Sequence, residues 1–221
     1  MSLTTAFCRV AIVPCFLSFV PFSALGAEKN RSLPNESFKP DALQWSEAKL
    51  AGNGCPSDEG FIKAMKHGIE WSPGSLSFDL DSNPSSASRF CRLTAKLVVP
   101  EGWKPERIVT TADFFAGKTR QGATLAFSLF TRMLGIDLPQ EERSYMSGDV
   151  FDFARVQLQG NTSLADLAPA SMWCQGGAVE GLFQSTLSAI GQVTGEGGRS
   201  AFGTRAPVEV KIRIPLVSCS Q

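Results

Sequence analysis

The chain has 221 residues, 43% of them hydrophobic, which suits one domain with a sizeable core. Its 21 basic and 21 acidic residues cancel, and the pI is near 6.6. No charge excess marks a nucleic-acid footprint or an anionic membrane surface, so those two partner classes are excluded first.

The N-terminus reads as a secretory leader. Arg9 precedes an apolar run from Val10 to Val20, broken by Pro14, and Ser23-Ala24-Leu25-Gly26-Ala27 supplies small residues for cleavage. The run is shorter than the roughly 20 residues that span a bilayer. Residues 1–27 are therefore expected to be removed, leaving a secreted chain with no stable membrane insertion. That chain would be extracellular, or periplasmic if the source is Gram-negative. Cys8 and Cys15 leave with the leader, and Cys55, Cys91, Cys174 and Cys219 remain. Four cysteines in an exported chain predict two disulfides, with three connectivities open. A zinc site is disfavoured, because no C-x-x-C spacing occurs and His67 is the only histidine. Loop closure favours Cys55–Cys91 and Cys174–Cys219, each bridge being worth roughly 4 kcal/mol at most.

Residues 28–42 are polar, carry Pro34 and Pro40, and read as a loose lead-in. Leu43 to Leu50 is a first strand with Trp45, followed by the turn Gly52-Asn53-Gly54-Cys55-Pro56. Phe61 to Ile69 is ambiguous: Phe61, Ala64, Met65, Gly68 and Ile69 have helical spacing, but Gly68 and Pro73 are poor helix company. Leu76, Phe78 and Leu80 alternate with Ser75, Ser77 and Asp79, and Asn83-Pro84-Ser85-Ser86 turns into the next strand. There Cys91, Leu93, Ala95, Leu97 and Val99 share one parity while Arg92, Thr94 and Lys96 take the other. This is a half-buried strand with an inward cysteine, stopped by Pro100.

Glu101-Gly102-Trp103 forms a turn with an aromatic tip, and Arg107 to Phe115 is a strand rich in β-formers. Gly117 to Gly122 reverses the chain into Leu125, Phe127, Leu129, Thr131 and Met133. Leu138 to Gly148 reads as a charged loop holding Tyr145, Val150 to Leu158 as a strand, and Gly160 to Ser171 as a loop. After Trp173-Cys174 comes a weak strand, Leu182 to Ile190, then a glycine-rich excursion from Gly191 to Pro207. Val208, Val210, Ile212, Ile214 and Leu216 alternate with Glu209, Lys211 and Arg213 in the cleanest strand of the chain. The fold class is all-β: a disulfide-stapled antiparallel sandwich of about 7 to 9 strands, one domain over residues 43–221.

At this point the chain resembles a known family. Ala51-Gly52-Asn53-Gly54-Cys55-Pro56, the Cys91-x-Leu93 strand running into Val99-Pro100-Glu101-Gly102-Trp103, the Trp173-Cys174 step and a terminal strand ending at Cys219 recur together in it. It comprises small secreted four-cysteine proteins of fungi and bacteria, known only as a domain of unknown function. The likeness covers residues 43 to 219 and departs where Phe114-Phe115 and Phe127 to Phe130 stand in place of tyrosines. It implies an exported, disulfide-bonded β domain and assigns no catalytic residue.

No complete catalytic, cofactor or metal motif is present in the sequence. Phe115-Ala116-Gly117-Lys118-Thr119 ends like a phosphate loop, but Ala112 stands where the first glycine is needed, so a β-turn is the better reading. Asp79-Leu80-Asp81-Ser82-Asn83 begins like a calcium loop, yet Pro84 and Phe90 occupy the glycine and glutamate positions. His67 is alone, with no G-x-S-x-G elbow to serve. A glycosidase needs only two carboxylates, and Asp113, Asp149, Asp152 and Glu180 are available. Trp71, Trp103 and Tyr145 lie beside turns or among charges, as a sugar or protein platform would. Asn35-Glu36-Ser37 and Asn161-Thr162-Ser163 are glycosylation sequons. The expectation is a secreted, non-enzymatic module, without cofactor or metal, that binds a protein or glycan or builds an envelope, its function carried by loops rather than strand faces. The alternative is a small secreted carboxylate-dependent hydrolase.

Overall fold

Apolar side chains at every second residue dictate strands, and the computed structural model forms them. It describes residues 29–30, 41–55, 59–80, 86–119, 122–145, 151–193 and 200–220. In chain order the first strands are β1 (Lys29–Asn30), β2 (Gln44–Ala51), β3 (Phe61–Met65), β4 (Gly68–Gly74), β5 (Ser77–Leu80) and β6 (Ser86–Val99). Next come β7 (Trp103–Pro105), β8 (Arg107–Lys118), β9 (Ala123–Met133), β10 (Ile136–Asp137), β11 (Glu141–Tyr145) and β12 (Phe151–Ser163). The helical turn α1 (Ser171–Cys174) precedes β13 (Val179–Val193), β14 (Ser200–Thr204), β15 (Val208–Arg213) and β16 (Leu216–Ser218).

All pairings are antiparallel and build two large sheets. The first has the order β1-β2-β6-β13-β9-β10, with β11 also on β9; the second runs β3-β4-β15-β8-β14-β5, with β12 along β8. β7 and β16 form a small third sheet. The two large sheets meet through their inward rows. Cys91, Leu93, Ala95, Leu97 and Val99 of β6 are buried, as are Ile108, Ala112, Phe114 and Ala116 of β8. Phe114 of the second sheet meets Phe127 of the first edge-on, their centroids 4.9 Å apart. Within the first sheet, Trp45 of β2 packs edge-on against Phe183 of β13 at 5.0 Å. Both disulfides join the pairs that loop closure favoured, Cys55–Cys91 and Cys174–Cys219. The result is the expected all-β sandwich.

Several local readings are corrected. The helical spacing over 61–69 resolves into the hairpin β3–β4, turning at Lys66–His67 with Met65 paired to Gly68. Gly68 serves a close approach: a Cβ there would lie 2.0 Å from the Ile212 carbonyl oxygen of β15. The charged loop at 138–148 follows β10 and contains β11, which pairs residue by residue with β9 from Glu141↔Leu129 to Tyr145↔Leu125. The excursion from Gly191 carries the end of β13 and all of β14. Gly191 of β13 faces the second sheet closely: a Cβ there would meet the Phe78 ring at 2.7 Å, where Phe78 of β5 stacks on its neighbour Phe202 of β14. These short additions raise the strand count above the expected range.

Candidate functional site

The residues singled out as a binding platform do not come together. Trp71 faces inward from β4 and is 0% exposed, so the expectation that it offers its ring to a ligand is corrected: the indole fills the core. Trp103 is half-buried in β7, paired with Ser218 of the small sheet. Tyr145 ends β11 at the edge of the first sheet, and its side chain lies outside the description. The candidate carboxylates are equally dispersed. Asp113 points outward from the second sheet, whereas Glu180 points outward from the first and pairs with Lys96 at 3.2 Å. Asp149 and the Asp152 side chain lie outside the described residues, as do the leader, Asn35 and 81–85 of the calcium-like turn. Asn161 is exposed near the end of β12. His67 is half-buried in the β3–β4 turn, where its carbonyl accepts from the Ile214 amide at 2.7 Å. Among the described residues no group of three or more His, Cys, Asp and Glu side chains could hold a metal ion, and no helix is long and apolar enough to cross a membrane.

A different group converges on the outer face of the second sheet. With Ala112, Phe114 and Ala116 of β8 directed inward, the two-residue period turns Thr111, Asp113 and Phe115 outward. Register places Gln157 of β12 beside Asp113 and Arg155 beside Phe115; on the other side, Glu209 of β15 lies beside Asp113 and Lys211 beside Thr111. The β14–β15 connection closes one side, its Arg205 amide donating to the Phe115 carbonyl at 2.9 Å while Ala206 and Pro207 form a wall. These residues enclose an open depression of about 420 Å³. Phe115 is 50% exposed, and Phe153, two residues along β12 from Arg155, is 43% exposed. Leaving each ring half in water forgoes about 1 kcal/mol of burial.

The charges of this face are mutually satisfied. Arg155 grips Asp113 in a bidentate pair, Nε to Oδ1 at 2.8 Å and a second guanidinium nitrogen to Oδ2. Gln157 donates to the same Oδ2 at 3.3 Å. Lys211 lies 3.1 Å from Glu209 and 3.4 Å from Glu70. The Arg155 hydrogen bond holds the Asp113 carboxyl below its ordinary range, against a smaller opposing effect of desolvation. Glu209 raises the Lys211 ammonium. A general acid requires the opposite shift, towards neutrality near the working pH. Asp113 is thus equipped to orient and accept hydrogen bonds, not to give up a proton. A depressed folded-state pKa contributes stability above the unfolded value that is lost as pH falls through the folded one. The Asp113 carboxyl signal in an NMR titration should therefore move at a pH below the usual aspartate range, and an ordinary midpoint would contradict the bidentate pair.

Parity alone could have placed Phe115 outside once Phe114 was assigned to the core. The contributions of Arg155, Gln157, Glu209 and the half-exposed Phe153 depend on pairings that local sequence does not encode.

No family model matches the chain, and no curated protein does. Among solved structures it is similar to TmCBM61 in complex with beta-1,4-galactotriose, at 12% identity and a TM-score of 0.27, covering 77% of this chain and 88% of that one. It is also similar to a mannan-recognising carbohydrate-binding module, TmCBM27, at 9% identity and a TM-score of 0.31, covering 78% and 96%. A third is the enzymatically active domain of tailspike protein 4 of bacteriophage CBA120, at 12% and 0.27, covering 80% of this chain and 20% of that one. Likeness at this level carries no argument about what this chain does.

Proposed function

We propose that the chain is a secreted, non-catalytic binding module whose ligand lies on the outer face of the second sheet, over Phe115. The observation that carries this reading is the half-exposed Phe115 ring in a depression beside a closed set of ion pairs on a paired strand face. Surface ion pairs add little to stability, and exposed rings subtract from it, so folding alone gives no reason for the arrangement. A ligand does: rings supply contact area with little conformational freedom to lose, and the paired polar groups are already oriented. Two disulfides fit an oxidising compartment. The hydrolase alternative is not favoured by this face: Asp113 and Glu180 stand on different sheets, and Asp113, with Glu209 beside it, is held below its ordinary range by Arg155 rather than raised as a general acid would be. The reading moves the expected binding surface from the loops to a sheet face.

Phe115→Ala is the test. The variant should keep its unfolding midpoint within a few degrees of wild type, since half of the ring is solvated already. It should lose at least about tenfold in affinity for the ligand, as truncation of an aromatic anchor does. Unchanged affinity would remove this face from the function, and a large drop in stability would make the ring structural.

A further inference from the structure

We infer that the ligand of this face is a neutral, polyhydroxylated chain, that is, an uncharged glycan. The inference rests on the binding reading above and specifies what is bound. The charged side chains lining the depression are two carboxylates, Asp113 and Glu209, and two cations, Arg155 and Lys211, so their charges cancel. Each is also engaged: Asp113 by Arg155 and Gln157, Lys211 by Glu209 and by Glu70 outside the depression. A phosphate, sulfate or uronate group would have to compete with Asp113 for Arg155 or with Glu209 for Lys211. A cationic ligand would have to break the same pairs from the other side. Neither finds a site of opposite sign, which is what charged ligands need for affinity and steering.

A sugar needs something else. Its ring faces carry C–H groups that lie flat on an aromatic ring, and its hydroxyls both donate and accept in the ring plane. Phe115 offers a face within the depression, where Asp113 and Glu209 offer planar acceptors, and Gln157, bonded to Asp113, adds an amide beside it. Ion pairing leaves carboxylate oxygens with further lone pairs for hydroxyl donors, so a hydroxyl can bind without breaking a pair. The volume of about 420 Å³ lies in the range of small-ligand sites. An extended peptide would seek an unpaired strand edge, whereas Asp113 and Phe115 at the centre of this face stand on β8, which is paired along both sides.

The test is titration calorimetry of the secreted full-length product against soluble neutral polysaccharides with hexose and pentose backbones. Polygalacturonate and a sulfated glycan serve as acidic probes. The expected result is binding to at least one neutral chain, with affinity changing less than about twofold between 50 and 500 mM salt, because no ion pair forms across the interface. Phe115→Ala should abolish that binding, and Arg155→Gln should weaken it by freeing Asp113 from its orientation. Tighter binding of an acidic glycan, weakened by salt and lost in Phe115→Ala, would overturn the neutral-glycan inference and leave the binding face in place. Neutral-chain binding that Phe115→Ala does not touch would overturn the face as well. Failure of every polysaccharide to bind would overturn the inference outright.

Discussion

Replacing Trp71 by alanine is expected to cost about 3 to 5 kcal/mol of folding stability, the range for truncating a large buried aromatic. The ring is wholly buried on the inward side of β4, where Trp71 pairs with Val210 of β15 and Ile62 of β3. No small side chain could fill that volume without collapse of the neighbouring strands. Among the described residues the buried indole nitrogen has no hydrogen-bond partner. Trp71→Phe removes that N–H and keeps most of the apolar volume, so its cost should be less than half that of alanine. Urea unfolding of the two variants separates the effects. An alanine cost under about 1 kcal/mol would return Trp71 to the surface and restore it as a binding candidate.

Trp71 also shows how far local sequence can be read. A tryptophan beside proline and glycine looks like a loop platform, and only the pairing of β4 with β15 turns it into core. Strands with one wet face were legible, because Cys91 to Val99 and Val208 to Ile214 write their burial directly as a two-residue period. The pieces that were not legible lack that period for physical reasons. β11 is an edge strand whose Glu141, Glu142 and Arg143 are all charged, so no apolar row marks its inward side. β3 is five residues long and carries Lys63 between Ile62 and Ala64, too short to separate a strand from a turn of helix. The candidate site belongs to the same class of information. Gln157, Asp113 and Glu209 form one row across three strands, and the 44 and 96 positions that separate them from Asp113 are bridged by sheet register alone. The cysteines were readable for the converse reason: short loops favour their own closure, and the chain obeys.

The two disulfides should differ in weight, and the difference follows from where each is anchored. Cys91 is buried in the middle of β6, the strand that pairs with both β2 and β13. Its partner Cys55 lies just past the β2 turn, so the bridge pins the connection between β2 and β3 to the core of the first sheet. Cys174 and Cys219 instead join α1 to the chain end, beside the small β7–β16 sheet, where the Cys219 amide also donates to the Gly102 carbonyl at 2.9 Å. Sequence separations of 36 and 45 make the entropic gain of the two bridges nearly equal, roughly 4 kcal/mol each as an upper figure. Packing breaks the tie. Removing Cys91 leaves a void among Leu93, Leu187 and their neighbours, whereas both Cys174 and Cys219 are only half-buried. The double replacement Cys55→Ala with Cys91→Ala should therefore cost about 4 to 5 kcal/mol and lower the yield of folded protein. Cys174→Ala with Cys219→Ala should cost about 2 to 3 kcal/mol and leave binding over Phe115 unchanged, because β7, β16 and α1 contribute no residue to that face. Denaturant unfolding of both variants, with ligand affinity measured on the second, decides the matter. Equal costs would mean that chain entropy governs and that the void at Cys91 closes on itself. A loss of affinity in the Cys174/Cys219 variant would show instead that the far end of the sandwich holds the binding face in shape.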